Sequence, residues 1–118
     1  MAKKILLVDD DKSIIQYYKE LFETNGYEVQ VAMDGEQAIV ALAASLPDLV
    51  LLDVNMPGKS GLDILKEVKE ANDKLPVFLL TAYEQYKRNF LSLYADEYLT
   101  KTKRPEIILK KIREYVGD

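Results

Sequence analysis

Three short, unbroken runs of apolar residues constrain the fold of this chain more than any other feature of its sequence. Half-exposed strands alternate apolar and polar side chains, whereas strands of a parallel sheet that is covered on both faces do not. Unbroken runs of about four aliphatic or aromatic residues therefore predict buried parallel strands. The runs are Ile5–Val8, Leu49–Leu52 and Val77–Leu80.

Segments with the apolar spacing of amphipathic helices separate these runs. A weaker strand is predicted at 29–32 and a short fifth strand at 97–100. The five predicted helices carry their apolar residues at Ile14 to Phe22, Ile39 and Leu42, Leu65 to Ala71, Tyr86 to Tyr94, and Ile108 to Tyr115.

This order alternates strand and helix five times in 118 residues. Right-handed crossovers between such units give a parallel sheet with helices on both faces. We therefore predict an α/β fold, namely a doubly wound, flavodoxin-like five-stranded parallel sheet of strand order 2-1-3-4-5. Residues 1–118 are predicted to form one domain.

The composition excludes several classes of function. The chain has no Cys and no His, which removes disulfides, thiolate or imidazole metal sites and Ser-His-Asp catalysis. Its 20 acidic and 16 basic residues give a net charge of -4, so we predict no direct DNA binding. No apolar run approaches the ~20 residues that span a bilayer, and the first residues do not resemble a signal peptide. We expect no membrane association and a cytoplasmic location.

Charged and polar residues follow the predicted strands at the carboxyl edge of the sheet, where doubly wound folds bind their ligands. Asp9 and Asp10 follow the first strand, Asp53 the third, Thr81 the fourth and Lys101 the fifth. Because strands one and three are predicted neighbours, the three carboxylates converge. Each close pair repels by roughly 4 kcal/mol near a protein surface, so a hard cation is expected among them.

The residue types at this edge favour Mg²⁺, with Mn²⁺ as a possible substitute, because all the available ligands are oxygens. Lys101 would add a positive charge and Thr81 a hydroxyl donor. Together with a metal ion these groups form a receptacle for a phosphoryl group, with Asp53 as the nucleophile.

Four segments resemble the receiver domain of two-component response regulators, and the resemblance covers essentially the whole chain. They are Ile5–Asp11, Pro47–Gly58, Leu80–Tyr83 and Tyr98–Lys101. The resemblance implies that Asp10 binds Mg²⁺ directly, that Asp9 binds it through water, and that Asp53 and the backbone carbonyl of Asn55 complete the protein ligands.

The resemblance also implies the roles of the remaining site residues. Asp53 would accept a phosphoryl group from a sensor histidine kinase or a histidine phosphotransfer protein. Lys101 would pair with Asp53 and then with the phosphoryl group, and Thr81 would donate a hydrogen bond to it. Tyr98 would turn inward as a switch residue, altering the face formed by the fourth helix, the fifth strand and the fifth helix. That face would then bind a downstream protein target. Such a module signals, and its only chemistry is its own phosphorylation and dephosphorylation.

Some features depart from the family pattern. Thr102 stands where the family usually has a proline in a cis peptide bond, and the fourth helix is predicted to be short. No effector segment follows Asp118, from which we expect the domain to act through protein contacts. Thr102 and the short fourth helix are the reasons for the alternative function, a degenerate receiver that binds partners without phosphorylation. A phosphohydrolase of the haloacid-dehalogenase type is disfavoured because it would need an Asp at Asn55. A nucleotide or flavin site is disfavoured because Asp9 and Asp10 would repel phosphates.

Overall fold

The computed structural model describes residues 2–53, 61–81, 95–101 and 105–117, apart from the side chains of Leu62 and Thr81. Within these ranges the chain forms five strands and four helices. The strands are β1 (Lys4–Val8), β2 (Glu28–Ala32), β3 (Leu49–Leu52), β4 (Val77–Thr81) and β5 (Glu97–Thr100). The helices are α1 (Lys12–Thr24), α2 (Gly35–Ala44), α3 (Gly61–Ala71) and α4 (Pro105–Val116).

Every predicted strand is present, and so are four of the five predicted helices. The helix predicted at Tyr86 to Tyr94 lies outside the described residues, and the predicted fifth helix is therefore α4. The strands form one parallel sheet in the order β2-β1-β3-β4-β5, which confirms the predicted fold class. In the ranges that are described, no helix is both long enough and apolar enough to cross a bilayer.

The two faces of the sheet explain why the apolar runs are unbroken. Along β1, Leu6 and Val8 belong to a core cluster that includes residues of α2 and α3. Ile5 and Leu7 belong to a second cluster on the opposite face, which includes residues of α1 and α4. All four side chains are at most 1% exposed. A strand that is buried on both faces has no position for a polar residue, and so no alternation appears.

Aspartates at the starts of the first two helices fix where those helices begin. The Asp11 side chain accepts hydrogen bonds from the backbone N–H groups of Ser13 and Ile14 at the start of α1. Asp34 accepts one from Gln37 N–H at the start of α2. Such a cap stabilises a helix by about 1 kcal/mol. These contacts place the two helices directly after β1 and β2, with their N-terminal ends towards the carboxyl edge of the sheet.

Two side chains that contributed to the predicted helical pattern are partly exposed. Ile39 on α2 is 37% exposed, and the adjacent Val40 is 69% exposed. Tyr115 on α4 is 40% exposed. Its ring packs edge-on against Phe78, and its hydroxyl donates a hydrogen bond to Glu97. Helix α2 thus presents more apolar surface than its packing on the sheet uses.

Hydrogen bonds join the end of α4 to the turn between α1 and β2. The buried Tyr27 donates its hydroxyl hydrogen bond to the carbonyl of Gly117, a residue 90 positions later in the chain, over 3.1 Å. Arg113 donates to the side-chain oxygen of Asn25 over 3.1 Å. Within the same turn Gly26 has φ +93°, a left-handed conformation that glycine adopts without steric cost. These contacts hold α4 along the face of the sheet that α1 also covers.

Candidate functional site

The ends of β1 and β3 lie side by side and bring two aspartates together. Val8 pairs with Leu52 in the ladder, and the backbone N–H of Asp53 donates to the carbonyl of Val8 over 2.9 Å. Asp9 is held in turn through its N–H, which donates to the carbonyl of Ala32 at the end of β2. The Asp9 and Asp53 residues are 1% and 6% exposed and are the buried charged residues of the described chain. Their position follows directly from the strand order.

Asp10 completes a cluster of carboxylates on the solvent side of this pair. Asp9, Asp10 and Asp53 each offer an oxygen, and these oxygens lie within 4.8 Å of one another. Asp10 is exposed, so the cluster opens to solvent on one side. Three hard oxygen donors at this spacing fit Mg²⁺, and there is no His or Cys in the chain that would favour a softer metal.

Lys101 provides the positive charge next to the buried pair. Its Nζ lies 2.8 Å from Oδ2 of Asp9 and 3.6 Å from Oδ1 of Asp53, and its side chain is 18% exposed. Burial alone would lower the pKa of Lys101. The hydrogen bond to Asp9 and the charges of Asp53 and Asp9 together outweigh that effect, so the pKa of Lys101 is raised above 10.5. The ammonium therefore stays charged at neutral pH.

The family resemblance pairs Lys101 with Asp53, and the structure places Lys101 within ion-pair distance of Asp53 and still closer to Asp9. The other oxygen of Asp9, Oδ1, accepts a hydrogen bond from the backbone N–H of Asp11 over 3.0 Å. Both oxygens of Asp9 thus have partners within the protein. No pattern in the sequence distinguishes which aspartate Lys101 approaches more closely, because both follow buried strands.

The remaining predicted site residues are described only in part. Thr81 ends β4 and pairs with Thr100, one residue before Lys101, but the Thr81 side chain lies outside the described part of the chain. Asn55, whose carbonyl was predicted to bind the metal, and Thr102, which stands at the predicted cis-proline position, also lie outside it. Tyr98 is partly buried on β5 and packs against the core cluster shared with α2 and α3.

Comparison with known proteins gives a consistent result. A family model described as "Response regulator receiver domain" matches residues 5–113. The transcriptional regulatory protein CpxR of Klebsiella pneumoniae is 46% identical over 112 residues, which are 93% of this chain and 47% of that protein. The transcriptional regulatory protein DltR of Streptococcus agalactiae is 41% identical over 112 residues, which are 93% of this chain and 50% of that protein. The chain spans about half the length of the curated relatives it matches.

Solved structures match over nearly the full chain. The response regulator protein TrrA of Thermotoga maritima, determined in complex with Mg(2+)-BeF, is 36% identical with a TM-score of 0.94, covering 96% of this chain and 98% of that one. The chemotaxis protein CheY4 of Vibrio cholerae is 29% identical with a TM-score of 0.89, covering 98% of this chain and 99% of that one. TrrA has also been crystallised with the histidine kinase ThkA, a structure that matches with a TM-score of 0.91 at 36% identity, covering 97% of this chain and 98% of that one.

These relatives correct one prediction from the sequence. The prediction of no direct DNA binding is wrong as a statement about proteins of this kind, because the curated relatives are transcriptional regulatory proteins. The physical reason is that the net charge of -4 describes only these 118 residues. The relatives are about twice as long as the part that matches, and the charge of one half carries no information about the surface of the other.

Proposed function

The chain belongs to the response regulator receiver domain family, and from this we propose that Asp53 accepts a phosphoryl group from a histidine kinase or a histidine phosphotransfer protein in a Mg²⁺-dependent reaction. As a receiver domain it is a signalling module of a two-component system rather than a classical enzyme. We further propose that residues 1–118 act as one such domain.

The observation that carries this proposal is the charge arrangement around Asp53. Oxygens of Asp9 and Asp10 lie within 4.8 Å of an oxygen of its buried carboxylate, and the Lys101 ammonium lies 3.6 Å from its Oδ1. Three negative charges against one positive charge leave the site with a deficit of positive charge. A site of this kind is suited to a divalent cation and to a group whose oxygens need several positive partners.

In the proposed reaction an oxygen of Asp53 attacks the phosphorus of a phosphohistidine. The P–N bond breaks as the new P–O bond forms, and the nitrogen lone pair returns to the histidine ring of the donor. The product on this chain is an acyl phosphate. Lys101, 3.6 Å from Oδ1 of Asp53, is close enough for its ammonium to move onto the oxygens of the incoming group. The proposed role of Thr81 is to donate its hydroxyl hydrogen bond to the same group.

The donor set of the site fits a magnesium ion. Asp10 would bind it directly, Asp9 through water, and Asp53 together with the Asn55 carbonyl would complete the protein ligands. When bound, Mg²⁺ supplies positive charge that screens the carboxylates and the phosphoryl oxygens from one another. The matching TrrA structure contains Mg(2+)-BeF, which supports Mg²⁺ as the metal here, and Mn²⁺ has a compatible ligand preference.

The proposed output of phosphorylation passes through β5. Tyr98 lies on β5 three residues before Lys101 and is partly buried against the core cluster that includes residues of α2 and α3. We expect it to turn inward when Thr81 moves onto the phosphoryl group. The surface formed by β5, α4 and the helix predicted at Tyr86 to Tyr94 would then change its affinity for a downstream target. The ThkA–TrrA complex supports a histidine kinase as the upstream partner.

Intact mass spectrometry after incubation with acetyl phosphate tests the proposal. We expect one phosphoryl group on the protein in the presence of Mg²⁺ or Mn²⁺ and none after chelation with EDTA. Asp53→Asn removes the nucleophile but keeps the side-chain shape, and we expect it to abolish the adduct. Asp73→Asn is the matched control, because Asp73 is exposed in the turn after α3, and it should be phosphorylated like the parent.

Two outcomes would contradict the proposal. An adduct that persists in Asp53→Asn would show that another residue is the acceptor. A folded parent protein that binds Mg²⁺ but acquires no phosphoryl group from acetyl phosphate or from a purified kinase would support the alternative, a receiver that binds partners without being phosphorylated.

A further inference from the structure

The edge strand β2 carries backbone groups that point away from the rest of the sheet. Glu28 donates its N–H to the segment that leads into β1, and Ala32 accepts a hydrogen bond from the residue that follows β1. In a parallel ladder, alternate residues direct both backbone groups towards the same neighbour. Val29 and Val31 therefore direct their N–H and C=O groups outward, and β2 has no second neighbour among the strands described.

This open edge is bounded at both ends. The N–H of Tyr27 donates to the carbonyl of Phe22 over 3.0 Å, and the N–H of Met33 donates to the side-chain oxygen of Gln37 over 2.9 Å. Both groups are thus occupied. The free N–H donors along the described edge are therefore those of Val29 and Val31, which match one short extended segment.

A groove of about 490 Å³ lies next to this edge, between β2 and α2. Val31, Val40 and Ala44 contribute apolar surface to it, and Val40 is 69% exposed. The side-chain oxygen of Gln30 is buried in this region and accepts no hydrogen bond from the part of the protein that is described.

We propose that this groove binds an extended peptide segment of a partner protein, which adds to the sheet as a sixth strand next to β2. Its backbone pairs with Val29 and Val31, and every second side chain enters the groove towards α2. Strand addition of this kind takes its affinity from main-chain hydrogen bonds and its specificity from the side chains that enter pockets. The site is independent of the phosphoacceptor Asp53 and its chemistry.

The charges around the groove determine the chemistry of the peptide. Glu36 is the charged residue that lines the groove. At its far end, Lys4 pairs with the exposed Glu28 in the ladder and donates to the Ser45 hydroxyl beside Ala44, so Glu28 has a cation next to it. A second copy of this chain would bring another Glu36 against the first, and each copy has a net charge of -4. A segment with apolar side chains and a lysine or arginine next to Glu36 complements the groove, because Val40 and Ala44 offer apolar surface and Glu36 offers a negative charge.

The experiment uses the isotopically labelled protein and a synthetic peptide of about ten residues. The probe alternates valine and threonine, carries one central lysine and is blocked at both ends. Nuclear magnetic resonance follows the hydrogen exchange of each backbone amide. We expect the peptide to slow exchange at Val29 and Val31 by at least about tenfold, with exchange at the centre of the sheet unchanged.

Charge reversal and a steric variant test the specificity. Glu36→Lys should weaken binding of the lysine peptide by about tenfold and strengthen binding of a peptide with glutamate in its place. Val40→Lys should weaken both peptides, and it changes a side chain that is already 69% exposed. Ile107→Lys is the matched control on α4, 43% exposed and on the opposite face of the sheet, and it should leave peptide binding unchanged.

Three results would overturn the proposal. One is unchanged exchange at Val29 and Val31 at a peptide concentration of about 1 mM, the upper end of weak specific binding. Another is protection located at other residues. The third is slowed exchange at these two amides without peptide, rising with protein concentration, which would assign the edge to a second copy of the chain. Slow amide exchange at the centre of the sheet, as in the parent, checks that Glu36→Lys and Val40→Lys are folded.

Discussion

The two edges of the sheet each contain a lysine–aspartate pair of nearly the same length, but the two pairs have different surroundings. At the carboxyl edge Lys101 lies 2.8 Å from Asp9, and at the amino edge Lys69 lies 2.9 Å from Asp96. Lys69 also donates to the carbonyls of Asp73 and Leu75, so its three donors each have an acceptor.

One oxygen of Asp96 serves two partners. Oδ2 of Asp96 accepts the ammonium of Lys69 over 2.9 Å and the N–H of Val77 over 2.8 Å, which ties the start of β4 to the residue before β5. This pair joins one cation to one carboxylate. Lys101, by contrast, faces two buried carboxylates with a third nearby. The same two residue types therefore serve as a structural junction at one edge and as part of a net negative cluster at the other.

Among the substitutions that test the difference between the two edges, Lys101→Met should have the largest effect on the free energy of unfolding. The substitution leaves Asp9 and Asp53 buried without their cation, and we expect it to lower the free energy of unfolding by about 3 kcal/mol without metal. Because the site is then more negative, Mg²⁺ should restore more stability in the variant than in the parent. Urea denaturation with Mg²⁺ and with EDTA measures both quantities. Equal stabilisation of the variant and the parent by Mg²⁺ would contradict the excess of negative charge inferred for the site.

At the amino edge, Asp96→Ala should lower the free energy of unfolding by about 2 kcal/mol. The variant leaves the N–H of Val77 and the ammonium of Lys69 without their shared acceptor. Mg²⁺ should bind with the parent's affinity, because the substitution lies at the other end of the strands. The same urea series measures this, and a loss of Mg²⁺ affinity would show that the two edges are not separate in function.

Asp10→Asn should stabilise the protein, whereas the two preceding substitutions destabilise it. It removes one of three mutually repelling carboxylates, and we expect the free energy of unfolding in EDTA to rise by about 1 kcal/mol. The stabilisation by Mg²⁺ should largely disappear, since Asp10 is the proposed direct ligand. Asp11→Asn is not a suitable control because Asp11 caps α1, so Asp73→Asn serves instead. Thermal melts with and without Mg²⁺ measure the change, and a destabilised Asp10→Asn protein would refute the repulsion.

The smallest expected effect concerns Tyr115 at the amino edge. The hydrogen bond to Glu97, together with burial and the charges of Glu97, Asp96 and Glu114, raises the pKa of Tyr115 to about 12. Since this pKa exceeds the ordinary value of 10.0, the stabilisation is fully present below pH 10 and is lost as the pH rises through about 12. Near-ultraviolet absorbance measures tyrosinate formation, and the difference from Tyr115→Phe assigns it. A Tyr115 that titrates near pH 10 would show that the hydrogen bond is not formed in solution.

The fold was predictable because strands that are buried on both faces have an easily recognised sequence pattern. Residues of β1, β3 and β4 are buried on both faces, and this produces the unbroken apolar runs. The exposed side of α2 was not predictable, because Ala38, Ile39 and Val40 are all apolar and only the structure distinguishes the buried Ala38 from its exposed neighbours. A helix with apolar residues all round carries no periodic signal.

The convergence of Asp9, Asp10 and Asp53 was predictable, and the unequal distances from Lys101 to Asp9 and to Asp53 were not. Asp9 and Asp53 converge because strand order places the ends of β1 and β3 together. The closer approach of Lys101 to Asp9 depends on distances that differ by less than 1 Å, and residue types do not encode them. The junction of Lys69 and Asp96 joins residues 27 positions apart, and neither belongs to a recognisable motif.

The late position of α4 in the chain has a consequence for biosynthesis. Residues up to Lys101 include the predicted site residues, yet Ile108 and Ile112 of α4 cover part of the sheet face that contains Phe78. At roughly 5–20 residues per second, translation takes about 1–3 s to proceed from Lys101 to Gly117, whose carbonyl Tyr27 holds. Until α4 has left the ribosome and packed, part of the apolar sheet face that contains Phe78 therefore lacks its cover. A ribosome stalled in this region would therefore present a substrate for chaperones or proteases.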